Sequence, residues 1–265
     1  MNKFRCAAVL LGLVGAAMPA AGSIVLTTGL PVTETFDSLP SSGTTALSGV
    51  LNQHDALPGS TGFIGAKIGG SGTALNLVAD AGTSNSGRLG SLGAVGSSER
   101  ALGSLASGTT VAGFGVEIVN NTGFDMLSLQ IDGFREQWRS STSVMNVLTF
   151  ASAVSGGTAT SSNFMSDGSL VALASLDLVG EAPVASNGAT DGNTLRVAIT
   201  GTISTVVPNG ASLYIRWTDV DNSGSDAALA LDDMTLTPTL EPEPSVAMLL
   251  GFGSILALRR RRYAA

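Results

Sequence analysis

The sequence predicts an all-β fold, a single antiparallel two-sheet sandwich of jelly-roll type. Several segments alternate apolar and polar residues with a period of two, which is typical of half-buried strands. Clusters of Gly, Ser, Asn and Asp separate these segments, as expected for turns. No long segment has the 3.6-residue apolar period of a helix.

The alternation places the strands along the chain. The predicted strands are Gly62–Ile68, Val111–Asn120, Leu127–Ile131, Asn146–Ala153, Leu195–Thr200, Leu213–Thr218 and Ala228–Thr237. In the third of them we expect Leu127, Leu129 and Ile131 to share one face. Two regions without alternation, 38–61 and 83–108, are expected to be long loops, and the second is rich in Leu, Gly and Ser.

The last predicted strand changes phase in its middle. Leu231 and Met234 lie three residues apart, so a regular strand would place them on opposite faces. One inserted residue at Asp232-Asp233, a β-bulge, would return Met234 to the core face and re-aim a carboxylate. The alternative is a bulged edge strand with both carboxylates in water.

The N-terminal residues 1–22 have the pattern of a secretory signal peptide. Lys3 and Arg5 are basic, Cys6–Ala17 is apolar, and small residues precede Ser23. We therefore expect export by the Sec machinery and removal by signal peptidase. Because Cys6 is the only cysteine, the mature chain would have no thiol and no disulfide.

Residues 23–240 are predicted to form one β-sandwich domain. The exported segment, counted through Pro244 so that it includes Glu241 and Glu243, has 7 basic and 20 acidic residues, a net charge of −13. Such a charge argues against nucleic-acid binding, which needs clustered Lys and Arg. It suits an extracellular protein and divalent cations.

The C-terminal residues 241–265 have three parts in a fixed order. Pro242-Glu243-Pro244 ends the preceding strand because proline lacks an N–H group. Residues 246–258 carry no charge and would form a helix of about 20 Å, short for a hydrocarbon core of about 30 Å. A basic block follows, and the positive-inside rule places it in the cytoplasm. The block is Arg259, Arg260, Arg261 and Arg262.

These three parts resemble the PEP-CTERM sorting signal. The resemblance implies recognition by exosortase, a membrane enzyme of Gram-negative bacteria that make exopolysaccharide. The 246–258 helix would then be a transient inner-membrane anchor, cleaved near Pro-Glu-Pro. The body would be attached at the cell surface or released into the extracellular matrix. The alternative is a buried C-terminal helix.

The densest acidic segment is 219–226. Its opening matches the D-x-D-x-S-G pattern of a calcium-binding loop, whereas the twelfth position is Ala230 instead of Glu. The alternative is an Asx-rich hairpin loop that needs no ion. If calcium binds, a carboxylate of the bulge is expected to face the same ion. The candidate ligands are Asp219, Asp221, Ser223, Asp226, Asp232 and Asp233.

A second polar cluster contains Glu136, Trp138 and Arg139. An aromatic ring beside charged groups can bind the faces and hydroxyls of sugars. The alternative is that Trp138 packs in the sandwich while Glu136 pairs with an arginine. His54 is the only histidine, and no nucleophile–base motif accompanies it, so no catalytic residue is assigned.

Segments 96–105, 136–139, 215–219 and 231–236, with the opening 34–40, resemble a recurring domain of exported bacterial proteins. The resemblance implies a β-sandwich surface module and assigns no activity. The sequence therefore predicts an exosortase-sorted surface or matrix protein with a non-catalytic structural or adhesive role, for which polysaccharide is a candidate ligand. The alternative is an extracellular hydrolase that uses carboxylates.

Overall fold

The structure is a computed structural model that describes residues 22–242. Almost the whole predicted signal peptide and the residues after Pro242, with the 246–258 segment and the arginine block, lie outside the described residues. Between Ser23 and Leu240 there are sixteen strands. In chain order they are β1 (Ser23–Leu26), β2 (Val32–Glu34), β3 (Thr44–Leu47), β4 (Asp55–Ala56), β5 (Phe63–Gly69), β6 (Leu75–Asp80), β7 (Arg88–Leu92), β8 (Ala101–Leu105), β9 (Val111–Asn120), β10 (Met126–Arg139), β11 (Val147–Val154), β12 (Val171–Ala172), β13 (Leu178–Val179), β14 (Val197–Ile203), β15 (Ser212–Thr218) and β16 (Ala228–Leu240).

The strands form two eight-stranded sheets, so the predicted all-β sandwich is confirmed. Sheet 1 has the order β12-β11-β15-β9-β5-β4, with β1 beside β9 and β13 beside β11. Sheet 2 has the order β14-β10-β16-β8-β7-β6-β3, with β2 beside β16. Most pairs are antiparallel, whereas β1 with β9 and β6 with β7 are parallel.

The main core lies between the two sheets. Sheet 1 contributes Phe114, Phe150 and Trp217, and sheet 2 contributes Leu129 and Leu231, all buried. The indole of Trp217 stacks on the Phe114 ring at 5.7 Å between centroids and meets the Phe150 ring edge-on at 5.0 Å. Aromatic rings bury large apolar areas, which makes this group a major part of the sandwich's stability.

The period-two segments are strands, with small differences in bounds. β9 has the predicted bounds, and β14 begins at Val197, two residues later than expected. The inward placement of Leu127 is wrong, because this side chain is 40% exposed. β10 has an irregularity between Met126 and Ser128, and Met126 is buried in place of Leu127.

The expectation of long loops at 38–61 and 83–108 is also wrong. The first contains β3 and β4, and the second contains β7 and β8. Every residue of β7 and β8 is buried, because one face meets the main core and the other meets a smaller apolar cluster around Trp138. Strands covered on both faces show no polar–apolar alternation, so their pattern gave no sign of them.

The predicted β-bulge in the last strand is confirmed. Opposite Gly133 of β10, β16 has two residues, Asp233 and Met234. Asp233 has φ of 46°, in the left-handed region that Asp tolerates better than most residues. Met234 and Leu236 are fully buried in the main core. However, β16 is not an edge strand, because β10 flanks it on one side and β2 and β8 on the other.

Helical structure within residues 22–242 is limited to one 3₁₀ turn, Ala174–Leu176. None of the helical structure in that range is long and apolar enough to cross a membrane.

Candidate functional site: an acidic cluster, an acidic loop and a neutral groove

Three carboxylates converge on the face of sheet 2 that points away from the main core. Glu136 of β10 lies opposite Ala230 of β16, and Asp232 lies two residues further along β16, on the same face. Glu99 reaches them from the loop between β7 and β8. One oxygen from each of the three carboxylates lies within 4.8 Å of the others. We call Glu99, Glu136 and Asp232 the acidic cluster.

The acidic cluster is mostly buried. Glu136 is 0% exposed and Asp232 is 3% exposed, whereas Glu99 is partly exposed. Burial raises the pKa of Asp232 to about 8, and the neighbouring carboxylates of Glu136 and Asp233 add to this effect. Burial also raises the pKa of Glu136, against the hydrogen bond from Trp138 that lowers it. Asp232 therefore favours a proton or a cation near neutral pH, and burial acts on Glu136 in the same direction.

Arg196 supplies positive charge at the edge of the acidic cluster. Its Nη2 lies 3.0 Å from Oδ2 of Asp232 and also pairs with the carboxylate of Asp233. Its Nε lies 3.6 Å from Oε1 of Glu136, and its guanidinium carbon lies 3.8 Å from the centre of the Phe134 ring. The guanidinium therefore combines ion pairs with a cation–π contact.

Trp138 and Arg139 are interior residues. The Trp138 side chain is 2% exposed, and its Nε1 donates a hydrogen bond to Oε2 of Glu136 at 2.9 Å. Gly192 lies against the indole so closely that a Cβ at this position would overlap the ring. Nη1 of Arg139 donates to the backbone oxygen of Gly82 at 3.0 Å. The alternative in which Trp138 packs inside the sandwich and Glu136 lies beside an arginine therefore describes this structure. Neither Trp138 nor Arg139 presents a surface to a sugar.

The 219–226 loop lies elsewhere, at the start of β16. Asp221 and Asp226 line one cavity of about 190 Å³. Asp219 lies close by and is buried, and burial raises its pKa to about 7. Asp226 accepts a hydrogen bond from Nδ2 of Asn146 at 2.7 Å. The exposed Ser223 is not part of the cavity lining. Calcium binding by this loop stays a prediction.

The expected shared ion between this loop and the bulge does not fit the structure. Asp232 is four residues into β16, about 13 Å along the strand from Ala228 at 3.3 Å per residue. The carboxylates nearest to Asp232 are those of Glu136, Glu99 and Asp233. The sequence predicted one ion for the 219–226 loop and the bulge because both are close to β16 along the chain.

A neutral groove of about 400 Å³ lies where residues of β11, β12 and β15 of sheet 1 are close to residues of β14 of sheet 2. We call it the neutral groove. None of its lining residues is ionisable. They are Ser152, Ala153, Val154, Gly157, Ser169, Val171, Ala172, Leu173, Thr202, Ile203, Ser204, Thr205 and Leu213.

Sequence reasoning missed three features of these sites. Two of them are Glu99 and Arg196, which no sequence motif marks as part of a site. Their meeting with Glu136 depends on contacts between residues at least 37 positions apart in the chain, which no local pattern encodes. The neutral groove has no signal in the sequence, since Ser, Thr and Val occur throughout the chain.

No family model and no curated protein matches the chain. Among solved structures, the K2 cleaved adhesin domain of Lys-gingipain is 14% identical with a TM-score of 0.36, over 80% of this chain and 98% of that one. The CBM22-1–CBM22-2 tandem domain of Xyn10C from Paenibacillus barcinonensis is 12% identical with a TM-score of 0.35, over 83% and 49%. TmCBM61, solved with β-1,4-galactotriose, is 10% identical with a TM-score of 0.29, over 55% and 74%. With TM-scores below 0.5, these similarities lead to no conclusion about this chain.

Proposed function

We propose that this protein is an exported, non-catalytic surface or matrix protein whose β-sandwich binds a neutral polysaccharide in the neutral groove. The observation that supports it most is the lining of that groove. Hydroxyl groups and apolar side chains lie side by side there, as at Ser152, Thr202 and Val171. Sugars present hydroxyls at their rims and apolar C–H faces, and a volume of about 400 Å³ is in the range of ligand sites.

The groove supports binding better than hydrolysis. Glycoside hydrolysis commonly needs two carboxyl groups that flank the scissile bond, and no lining residue carries one. Charged polysaccharides are also disfavoured, because the lining offers no compensating charge.

One observation favours the hydrolase alternative. Glu136 and Asp232 are close carboxyl groups with raised pKa values, which is a common property of catalytic pairs. Glu136 is 0% exposed, however, and its Oε2 accepts the Trp138 hydrogen bond. A nucleophile or a general acid must reach the substrate, so this placement argues against catalysis by the pair.

A glycan array with the full-length protein tests the proposal. We expect saturable binding without turnover. Ala172→Trp places an indole in the groove from an exposed position and should abolish binding. Leu30→Trp, at an exposed position outside the groove, is the matched control and should bind normally. Binding that survives Ala172→Trp would refute the groove, and turnover that disappears in Asp232→Asn would favour the hydrolase.

The proposed route to the surface is exosortase sorting after Sec export and signal peptidase cleavage. It is supported by the resemblance of Pro242-Glu243-Pro244, the apolar segment and Arg259–Arg262 to a sorting signal. The mature protein should then lack the four arginines. Intact-mass measurement of protein recovered from the cell surface or the medium checks this, and a mass that includes them would exclude the processing.

A further inference from the structure

The acidic cluster and its neighbours have more negative than positive charge. Glu99, Glu136, Asp232 and Asp233 supply four carboxylates. Arg196 pairs with Asp232 and Asp233, and the buried Arg100 interacts electrostatically with Glu99. If all four are ionised, two guanidinium groups leave two negative charges without compensation. For the buried Glu136 and Asp232, ionisation is costly unless a counter-ion is bound or protons neutralise them.

One oxygen of the cluster is buried without a hydrogen bond. Oε1 of Glu136 has no donor among the described residues, and the Nε of Arg196, 3.6 Å away, has no hydrogen-bond acceptor either. The other oxygen, Oε2, is fixed by the Trp138 indole at 2.9 Å. The hydrogen bond from Trp138 orients the carboxylate, and Oε1, which has the ion pair with Arg196 but no hydrogen bond, can serve as a ligand.

The acidic cluster is compact enough to surround one cation. Calcium binds oxygen at about 2.3–2.6 Å, so ligands on opposite sides of the ion lie up to about 5.2 Å apart. One oxygen from each of Glu99, Glu136 and Asp232 lies within 4.8 Å of the others, which is close enough for all three to bind the same ion. A set of three carboxylates with no nitrogen or sulfur ligand also suits a hard cation.

We propose that Glu99, Glu136 and Asp232 bind a calcium ion, which links the loop between β7 and β8 to the adjacent strands β10 and β16 of sheet 2. Water completes the coordination on the side of Glu99, which is partly exposed and gives the ion access. The charge of the ion compensates the two excess carboxylates. This site differs from the 219–226 loop and needs none of its residues.

Calcium titration of the chelator-treated full-length protein tests the proposal by calorimetry and thermal melting. At a hundredfold excess over Kd we expect Tm to rise by roughly 5 to 10 °C. Magnesium should bind at least about tenfold more weakly, because it gives up its hydration water reluctantly and needs near-ideal octahedral geometry. The site is overturned if calcium changes neither the heat signal nor Tm.

Two conservative variants assign the binding to this cluster. Glu99→Gln removes one charged ligand from a partly exposed position and should weaken calcium binding by about tenfold or more. Asp221→Asn removes a carboxylate of the 219–226 loop and should leave the affinity of the acidic cluster for calcium unchanged. The opposite result, with binding lost in Asp221→Asn and kept in Glu99→Gln, would assign the ion to the loop and refute the proposal.

Terbium luminescence provides a second readout, because terbium takes calcium sites and a nearby indole sensitises its emission. Trp138 is hydrogen-bonded to the proposed ligand Glu136, so excitation of tryptophan should produce terbium emission. Glu99→Gln should remove that emission, and excess calcium should compete it away. Neither assay involves a glycan, so these outcomes are independent of the polysaccharide proposal.

Discussion

Arg196 is the cation that neutralises the buried carboxylate of Asp232, so its replacement by Met should destabilise the sandwich. Methionine keeps much of the apolar stem of arginine but removes the guanidinium, together with its contact with the Phe134 ring. Asp232, 3% exposed, then loses the ion pair at 3.0 Å. The Oε1 of Glu136 loses its nearest positive charge at 3.6 Å.

The expected loss of stability follows from burial and exposure. Removing one partner of a fully buried ion pair costs about 3–5 kcal/mol. Because the Arg196 side chain is 29% exposed, solvent screens part of this, and we expect about 2–3 kcal/mol. At roughly 2–4 °C per kcal/mol for a domain of this size, Tm should fall by about 5–10 °C.

The assay is thermal and urea unfolding in the presence of a chelator, so that no divalent cation replaces the lost charge. The double variant Arg196→Met/Asp232→Asn should recover part of the loss, because it removes the carboxylate that is left unpaired. A single variant that loses less than about 1 kcal/mol would refute the reasoning, since that is the scale of an exposed ion pair. So would a double variant that is no more stable than the single one.

Three further predictions concern other parts of the sandwich. His54, the only histidine, should titrate with a pKa below 6.5 in ¹H NMR, because burial disfavours its charged form. The unfolded chain then takes up more protons below pH 6.5, so His54 should lower stability as the pH falls, and a pKa above 6.5 would contradict this. Gly103→Ala should cost about 1–3 kcal/mol, since its Cβ would overlap a backbone oxygen of the facing strand, whereas Gly157→Ala, with open space around it, should change little in the same urea melts. Trp217→Phe should cost about 2–4 kcal/mol, because it opens a cavity and leaves the backbone oxygen of Leu176 without its 2.8 Å hydrogen bond; a loss below 1 kcal/mol would exclude that account.

Sequence patterns predicted well the strands whose residues alternate in sequence. In β15 the core residues Leu213 and Trp217 alternate with residues such as Arg216, and the predicted bounds agree with the structure to within one residue. β7 and β8 share the sequence Leu-Gly-Ser-Leu, and all of their residues are buried. They therefore show no polar–apolar alternation, and their Gly and Ser content is typical of a loop. Glycine at 103 reflects close contact with β16 instead of chain flexibility.

The bulge and its acidic residues could be predicted because a phase error is a local property of one strand. Leu231 and Met234 required an extra residue between them, and the structure has it. The partners of Asp232 could not be predicted, because Glu99 lies in the loop before β8 and Arg196 lies directly before β14. Their approach to Asp232 depends on the pairing of β8 with β16 and of β14 with β10. Burial of Trp138 is equally non-local, since Gly192 covers its indole from a distant segment.

The position of β16 has a mechanical consequence. The strand lies in the middle of sheet 2, is bonded to β10 along almost its full length, and ends at Leu240. Tension on the chain beyond Leu240 runs parallel to the strand and perpendicular to its inter-strand hydrogen bonds. Many bonds then share the load in shear, instead of opening one after another as they would at a peeled edge. A protein tethered through this end would therefore resist pulling forces until much of the β10–β16 ladder failed together.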